Sequence, residues 1–342
     1  MVQLTIAIPA FNVESYLKKC LESILEFGEN ERLEVLVIDD GSQDSTAEIA
    51  QRYEEKYPKT VRLIRKENGG HGSVINRAVE EASGRYIKII DADDWIVSEN
   101  LDHILNYLEK TNADAVITAF HTIDMITGKK IAYTIENYEG PEEITIEQLV
   151  KEYDRFAPCC TFHGLMYRVE PYRAAKIHLS EGIFYEDQEY AALPFSYVKS
   201  IGVFSEFFYE YQIGNVNQSV SLKNVVKRIG HLEKVAEAII RCQNNAVTLP
   251  SASRFYIQKK IENVATSYFS IVLVKNPDKK EGRKQALQFY DKLQRSAPAV
   301  LGKIKNKYQI LCLLNRLNVS PVFYQRLLDT IWLRKIRKRY LK

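Results

Sequence analysis

Short apolar runs alternate with amphipathic stretches through the first third of the sequence, and few folds accept that pattern. Residues 4–8, 33–38, 61–65, 86–90 and 113–118 are brief, apolar and rich in β-branched side chains. Between them, residues 14–27, 44–57, 72–82 and 100–110 carry apolar positions at helical spacing. Pro9, Asp39-Asp40-Gly41-Ser42, Asn68-Gly69-Gly70, Ser83-Gly84 and Asp91-Ala92-Asp93-Asp94 supply the breaks. A strand–helix series of this kind predicts an α/β fold, with a mostly parallel sheet and helices on both of its faces. Such sheets bind ligands beyond the C-terminal ends of their strands. Two acidic clusters fall at such ends, Asp39-Asp40 after the second strand and Asp91, Asp93, Asp94 after the fourth.

Later residues read differently. Residues 119–220 are dense in aromatics, and from about 222 the pattern is helical to the end. At 342 residues two domains are expected, divided as 1–220 and 221–342. A net charge of +3 argues against nucleic acid as a partner of the whole chain. The five cysteines, Cys20, Cys159, Cys160, Cys242 and Cys312, lack metal-ligand spacing and are read as reduced thiols of a cytoplasmic protein. The N-terminus lacks the pattern of a secretory leader, and no run approaches the ~18 apolar residues of a spanning helix.

Asp91-Ala92-Asp93 puts two carboxylates at a strand end. One suits ribose hydroxyls. The other suits Mg²⁺ or Mn²⁺, hard cations that take oxygen ligands and bridge phosphates. The competing reading is an acidic helix start. Asp39-Asp40 suits a base imide N–H, or merely a turn. The glycines of Asn68-Gly69-Gly70-His71-Gly72 allow close backbone approach to a phosphate or sugar, without the spacing of a dinucleotide fingerprint or a P-loop. His71 is read either as a ligand contact or as a structural histidine. Glu186-Asp187, set among Tyr185, Tyr190 and Phe195, suits general-base work on a hydroxyl, or a helix N-terminus.

Taken in order, these segments resemble the family 2 glycosyltransferases of the GT-A fold. The resemblance rests on Pro9-Ala10-Phe11-Asn12, Val37 to Thr46, Asn68-Gly69-Gly70, Ala82 to Ile87, Asp91 to Trp95 and, later, Glu186-Asp187. It is strong over residues 1–120 and thinner to about 215. It implies that Pro9, Phe11 and Glu14 line a nucleotide pocket in which Asp39 reads the base. Asp91 and Ala92 would face the ribose or donor sugar, Asp93 would hold the metal, and Asp187 would be the base of an inverting displacement. A UDP-sugar donor and an acceptor glycan are implied, the glycan being a cell-surface polysaccharide, a teichoic-type polymer or a glycoprotein glycan. One departure stands out: where many relatives carry Ala-Arg-Asn, this chain reads Val74-Ile75-Asn76. The rival reading is a non-enzymatic glycan- or nucleotide-binding subunit on the same fold; the intact acids argue against it. A basic, partly apolar C-terminal helix over residues 323–342 suits an anionic membrane surface, a lipid-linked acceptor and a peripheral place at the inner face of the membrane. A solvated basic face is its alternative.

Overall fold

The structure, a computed structural model, describes residues 1–28, 30–135, 138–214, 222–245, 248–328 and 330. Two compact units are present: Met1–Gln218 with Cys242–Ile257, and Ser219–Arg241 with Gln258–Lys342.

The first unit is built on one sheet. Its strands are β1 (Leu4–Ala10), β2 (Leu33–Asp39), β3 (Val61–Arg65), β4 (Tyr86–Ile89), β5 (Trp95–Ile96), β6 (Ala115–Asp124), β7 (Lys130–Tyr133), β8 (Glu143–Thr145), β9 (Leu165–Arg168) and β10 (Ser200–Ile213). The main order is β3-β2-β1-β4-β9-β6-β10-β5, with β7 on β6 and β8 on β10. From β3 to β4 all pairs are parallel, as the strand–helix alternation requires. Beyond β4 the sheet is mixed rather than mostly parallel. β9 runs antiparallel between β4 and β6, while β10 runs parallel to β6. Helices α1 (Leu17–Ile24), α2 (Thr46–Lys56), α3 (His71–Glu81) and α4 (Leu101–Lys110) follow the early strands. Leu17, Cys20, Leu21 and Ile24 of α1 and Ile104, Leu105 and Leu108 of α4 share one buried cluster with β1, β2 and Phe208 of β10. This apolar face is what fixes the helices, since helices this short are marginal alone. The unit's remaining helices are α5 (Ile146–Lys151), α6 (Tyr153–Phe156), α7 (Val169–Ala174) and α8 (Glu186–Tyr190).

The helical remainder comprises α9 (Leu222–Lys227), α10 (Ile229–Asn245), α11 (Ser251–Ser270), α12 (Lys279–Ser296) and α13 (Pro298–Arg316). Asp278 caps α12 by accepting from the amides of Lys280 and Glu281. Tyr268, Phe269, Phe289 and Tyr308 form the second unit's aromatic centre. No described helix is long and apolar enough to cross a membrane. Most of the expected basic C-terminal helix, from residue 331 on, lies outside the described residues.

Candidate active site

A cleft of about 480 Å³ opens at the C-terminal ends of β1, β2 and β4. Pro9, Ala10, Phe11, Asp40, His71, Asp91, Ala92 and Asp93 all line it, together with Ile183 and Phe184 from the segment before α8. The sequence therefore placed five of its expected ligands, Pro9, Phe11, Asp91, Ala92 and Asp93, around a single opening.

Glu14 and Asp39 have other surroundings, and neither is among the residues lining the cleft. The loops after β1 and β2 clasp each other. The Glu14 amide donates to Asp44 Oδ2 (3.1 Å), and the Ser45 amide donates back to Glu14 Oε2 (2.9 Å). Glu14 thus satisfies an amide just ahead of α2. Asp39 is buried, accepts from the Ser42 amide (3.0 Å) and lies 3.6 Å from Arg65 Nε. Its neighbour Asp40 takes the cleft position. Asp40 accepts from Lys66 Nζ (2.6 Å) and from the amides of Gly69 (2.9 Å) and Gly70 (2.8 Å), which orders the glycine-rich turn. Gly70 holds φ at +82° there, a conformation that glycine adopts without a Cβ penalty.

The second acidic cluster divides its work. Asp94 is buried and accepts from Tyr209 Oη (2.6 Å) and the Gln212 amide (2.7 Å), so it fastens β10 to the motif. Burial pushes its carboxyl well up, and the charges of Asp91 and Asp93 push in the same direction. Asp91 faces His71, whose Nε2 lies 3.0 Å from Oδ1. Burial works to raise the Asp91 carboxyl, but that hydrogen bond and the imidazole charge hold it below its ordinary value. Among the described residues Asp93 has no such partner. Burial and the Asp91 charge raise it to about 6. Beneath the cluster, Lys88 Nζ is buried and donates to the carbonyls of Phe162 (3.0 Å), His163 (2.6 Å) and Leu165 (3.0 Å). Burial lowers this ammonium to about 7.

Which residues fit a divalent cation follows from this division. Asp91, Asp94 and His163 bring one ligand atom each within 4.8 Å of one another. Yet both oxygens of Asp94 already accept hydrogen bonds, and the His163 ring is stacked on Tyr211. Asp91 and Asp93 open into the cleft instead, and Asp93 carries a charge that burial and its neighbour disfavour. That is the chemistry a cation relieves.

Glu186 and Asp187 begin α8. His71 Nδ1 lies 2.7 Å from Glu186 Oε1. Burial, then the Glu186 charge, raises Asp187 to about 6. Gln188 Nε2 donates to Asp187 Oδ2 (2.9 Å). Asp187 is not among the cleft-lining residues, but it shares its field with the acidic cluster. The Tyr211 phenol is pushed up by burial and then by Asp91, Asp94, Asp187 and Asp93 together.

Sequence reasoning missed Lys88, Tyr209, Gln212 and the segment 182–184. Only Lys88 left a signal: a lysine inside the otherwise apolar run Tyr86-Ile87-Lys88-Ile89-Ile90. Asn76, noted only as the survivor of a shorter motif, is a clamp. It donates to the Leu179 carbonyl (3.0 Å) and accepts from the Leu179 amide (2.8 Å).

Comparison with known proteins finds similarity to glycosyltransferases. The profile of glycosyl transferase family 2 matches residues 5–174. An uncharacterised glycosyltransferase of Mycoplasma pneumoniae, the MG060 homologue, is 26% identical over 272 residues, covering 77% of this chain and 87% of the relative. The poly(ribitol-phosphate) beta-glucosyltransferase of Bacillus spizizenii is 29% identical over 169 residues, covering 44% of this chain and 26% of its own length. The chain spans only part of several relatives, 18% of a Streptococcus pneumoniae glycosyltransferase and 13% of the minor teichoic acid biosynthesis protein GgaB of Bacillus subtilis. Among solved structures, Staphylococcus aureus TarS 1–349 in complex with UDP-GlcNAc matches with a TM-score of 0.66 at 18% identity, covering 92% of each chain. Residues 5–174 thus match the glycosyl transferase family 2 profile, and the chain that carries them is a glycosyltransferase.

Proposed function

We propose that this glycosyltransferase moves a hexosyl or N-acetylhexosaminyl group from a UDP-sugar to a hydroxyl of an acceptor glycan, with inversion at the transferred carbon. One observation carries the reading. Asp91 is linked through His71 to Glu186, the chain neighbour of Asp187, and burial and then the neighbouring charges of Asp91 and Glu186 raise Asp93 and Asp187 in turn. Pro9 and Phe11 would hold the nucleotide, with Asp39 and Glu14 shaping the loops around it. Asp91 and Ala92 would face the ribose or the donor sugar. Asp187 would take the proton of the acceptor hydroxyl as its oxygen attacks C1. The C1–oxygen bond to the diphosphate breaks as the new bond forms, and the diphosphate departs with the electron pair. A single displacement inverts C1 and needs no covalent enzyme intermediate. Asp93, with Asp91, would hold Mg²⁺ or Mn²⁺, which when bound neutralises charge on the diphosphate.

A uridine donor is supported by the UDP-GlcNAc complex of TarS, and a teichoic-type acceptor by the name of the Bacillus spizizenii relative. We also place the enzyme in the cytoplasm, peripheral at the inner face of the membrane, where a lipid-linked acceptor would be met. Support comes from α13 and the residues after it. Residues 298–328 contain Lys303, Lys305, Lys307, Arg316 and Arg326 and no acid. Ile310, Leu313, Leu317 and Phe323 are all more than half exposed there.

Thermal melting with UDP, GDP and ADP, each with and without Mn²⁺, tests the donor reading. A ligand at about 100 times its dissociation constant adds about 2.7 kcal/mol. A rise with UDP that needs Mn²⁺ is expected. No rise with any nucleotide, together with no hydrolysis of any UDP-sugar, overturns it.

A further inference from the structure

His71 occupies an unusual position: it touches a donor-side carboxylate through one ring nitrogen and the base-bearing helix through the other. Nε2 lies 3.0 Å from Asp91 Oδ1, and Nδ1 lies 2.7 Å from Glu186 Oε1. Both ring nitrogens are thus engaged by carboxylate oxygens, one on each side of the ring. Glu186 is buried, and among the described residues its second oxygen has no hydrogen-bond partner. His71 is therefore the group that answers the Glu186 charge.

Everything around His71 is tightly seated. The Gly182 amide donates to the Gly69 carbonyl (2.8 Å), and Asn76 holds both polar groups of Leu179. A Cβ on Gly72 would lie 2.2 Å from the Ser180 carbonyl oxygen and 3.3 Å from Glu186 Cγ. α3 and the turn before it thus hold segment 178–186 in place through the Gly69 carbonyl, the Gly72 backbone and the Asn76 side chain, and His71 adds a side-chain bridge from that segment to Asp91. Tyr185, next in line, holds a positive φ of 74°, a conformation that persists only when its surroundings enforce it.

We infer that His71 is a positioning residue that sets the placement of Asp187 against Asp91, so that the donor and the deprotonating group are held in register. The inference rests on the proposed transferase reading and deepens it. A group that fixes register acts on turnover more than on donor affinity, because small displacements of a base weaken proton transfer steeply while leaving nucleotide contacts intact. Loss of register also lets water compete with the acceptor hydroxyl, so hydrolysis of the donor rises relative to transfer.

The test compares His71→Gln, Glu186→Gln and the double variant with the wild-type protein. Donor affinity, the rate of transfer and the ratio of hydrolysis to transfer are measured on each, and melting confirms folding. Expected is a fall in kcat of a hundredfold or more in His71→Gln, with the dissociation constant for UDP within threefold and a raised hydrolysis ratio. The double variant should fall no further than His71→Gln, since both changes break the same link. The double variant also removes both charges together, so it reports on register even if an unpaired Glu186 prevents His71→Gln from folding. An unchanged hydrolysis ratio with wild-type kcat in either His71 variant overturns the inference. So do losses from His71 and Glu186 that simply add. If the wild-type protein itself turns over no nucleoside-diphosphate sugar, the transferase reading has failed, a different outcome from the failure of the positioning role.

Discussion

Asp93 and Asp94 are neighbours in the chain with opposite tasks, and nothing local separates them. Residues more than a hundred positions later do so: Tyr209 and Gln212 bond to Asp94 and leave Asp93 facing the cleft. Motif order made the acidic cluster legible in the sequence; the allotment of its members was not, because β10 decides it. The same holds for Asp39 and Asp40, whose roles depend on Lys66 and the Gly69 and Gly70 amides. Replacing Asp94 by Ala strands a buried phenol and a buried amide, at a cost of about 1–3 kcal/mol for each. The variant should melt several degrees lower; an unchanged melting temperature would sink the fastening role. Asp187 offers a pH test. Its carboxyl is raised to about 6, whereas an unfolded Asp ionises near ~3.9. A base must be ionised, so transfer should fall about tenfold for each pH unit below about 6. Stability runs the other way. The folded state holds the Asp187 proton more tightly, so this contribution is full below ~3.9 and lost as pH rises through about 6. Asp187→Asn should then melt above the wild-type protein at pH 7.5, bind UDP normally and lose transfer by about 10²–10⁴-fold. Full transfer in that variant would refute the assignment.

Among the elements, α1 to α4 and β1 to β4 could be read from the sequence because each carries its own periodicity. β9 and β10 could not. β9 inserts between β4 and β6, strands separated from it by long stretches of chain, and its four residues have no pattern that dictates such an insertion. β10 is long but irregular: its register against β6 shifts between Phe204 and Phe207 and again before Tyr209, which breaks the simple alternation. Some of the aromatics that made residues 119–220 hard to read sit on these strands, Tyr167 on β9 and Phe204, Phe207, Phe208, Tyr209 and Tyr211 on β10. The contact between α3 and segment 178–186 was equally hidden, although Gly72 was in plain view as a helix-opening glycine. Gly72→Ala should force the Ser180 carbonyl away, because the clash is with backbone rather than a flexible side-chain end. A loss of about 1–3 kcal/mol is expected, as for other overpacked sites, along with impaired transfer. Gly230 of α10 is the comparison, since a Cβ there meets nothing within 4 Å. Gly230→Ala should be neutral or stabilise by up to about 1 kcal/mol. Equal melting of the two variants would show that the α3 contact is looser than drawn.

At the scale of the whole molecule, the net charge of +3 conceals a segregation that bears on where the enzyme works. The run 298–328 is wholly free of acids, so the rest of the chain is nearly balanced or slightly acidic. On α13 and its C-cap, Lys303, Lys307, Ile310, Leu313 and Leu317 follow one another at helical spacing, the lysines at one end and the exposed apolar groups at the other. A second copy of this surface would be a poor partner, because a two-fold contact would set like charges against each other. An anionic lipid surface answers both properties, with headgroups for the bases and the acyl boundary for the leucines. Near such a surface each base contributes about 1 kcal/mol. Changing Lys303, Lys305 and Lys307 to Gln should therefore lower partitioning onto phosphatidylserine-containing vesicles on the order of a hundredfold, with little change in melting temperature. Wild-type binding should weaken as salt rises and be absent on purely zwitterionic vesicles. Changing Leu313 and Leu317 to Ser should weaken binding without altering its salt dependence, since the apolar contribution is not screened. Sedimentation with vesicles reads all three. Equal binding to zwitterionic and anionic vesicles would remove the charge argument, and no binding to either would leave the basic run as a solvated face.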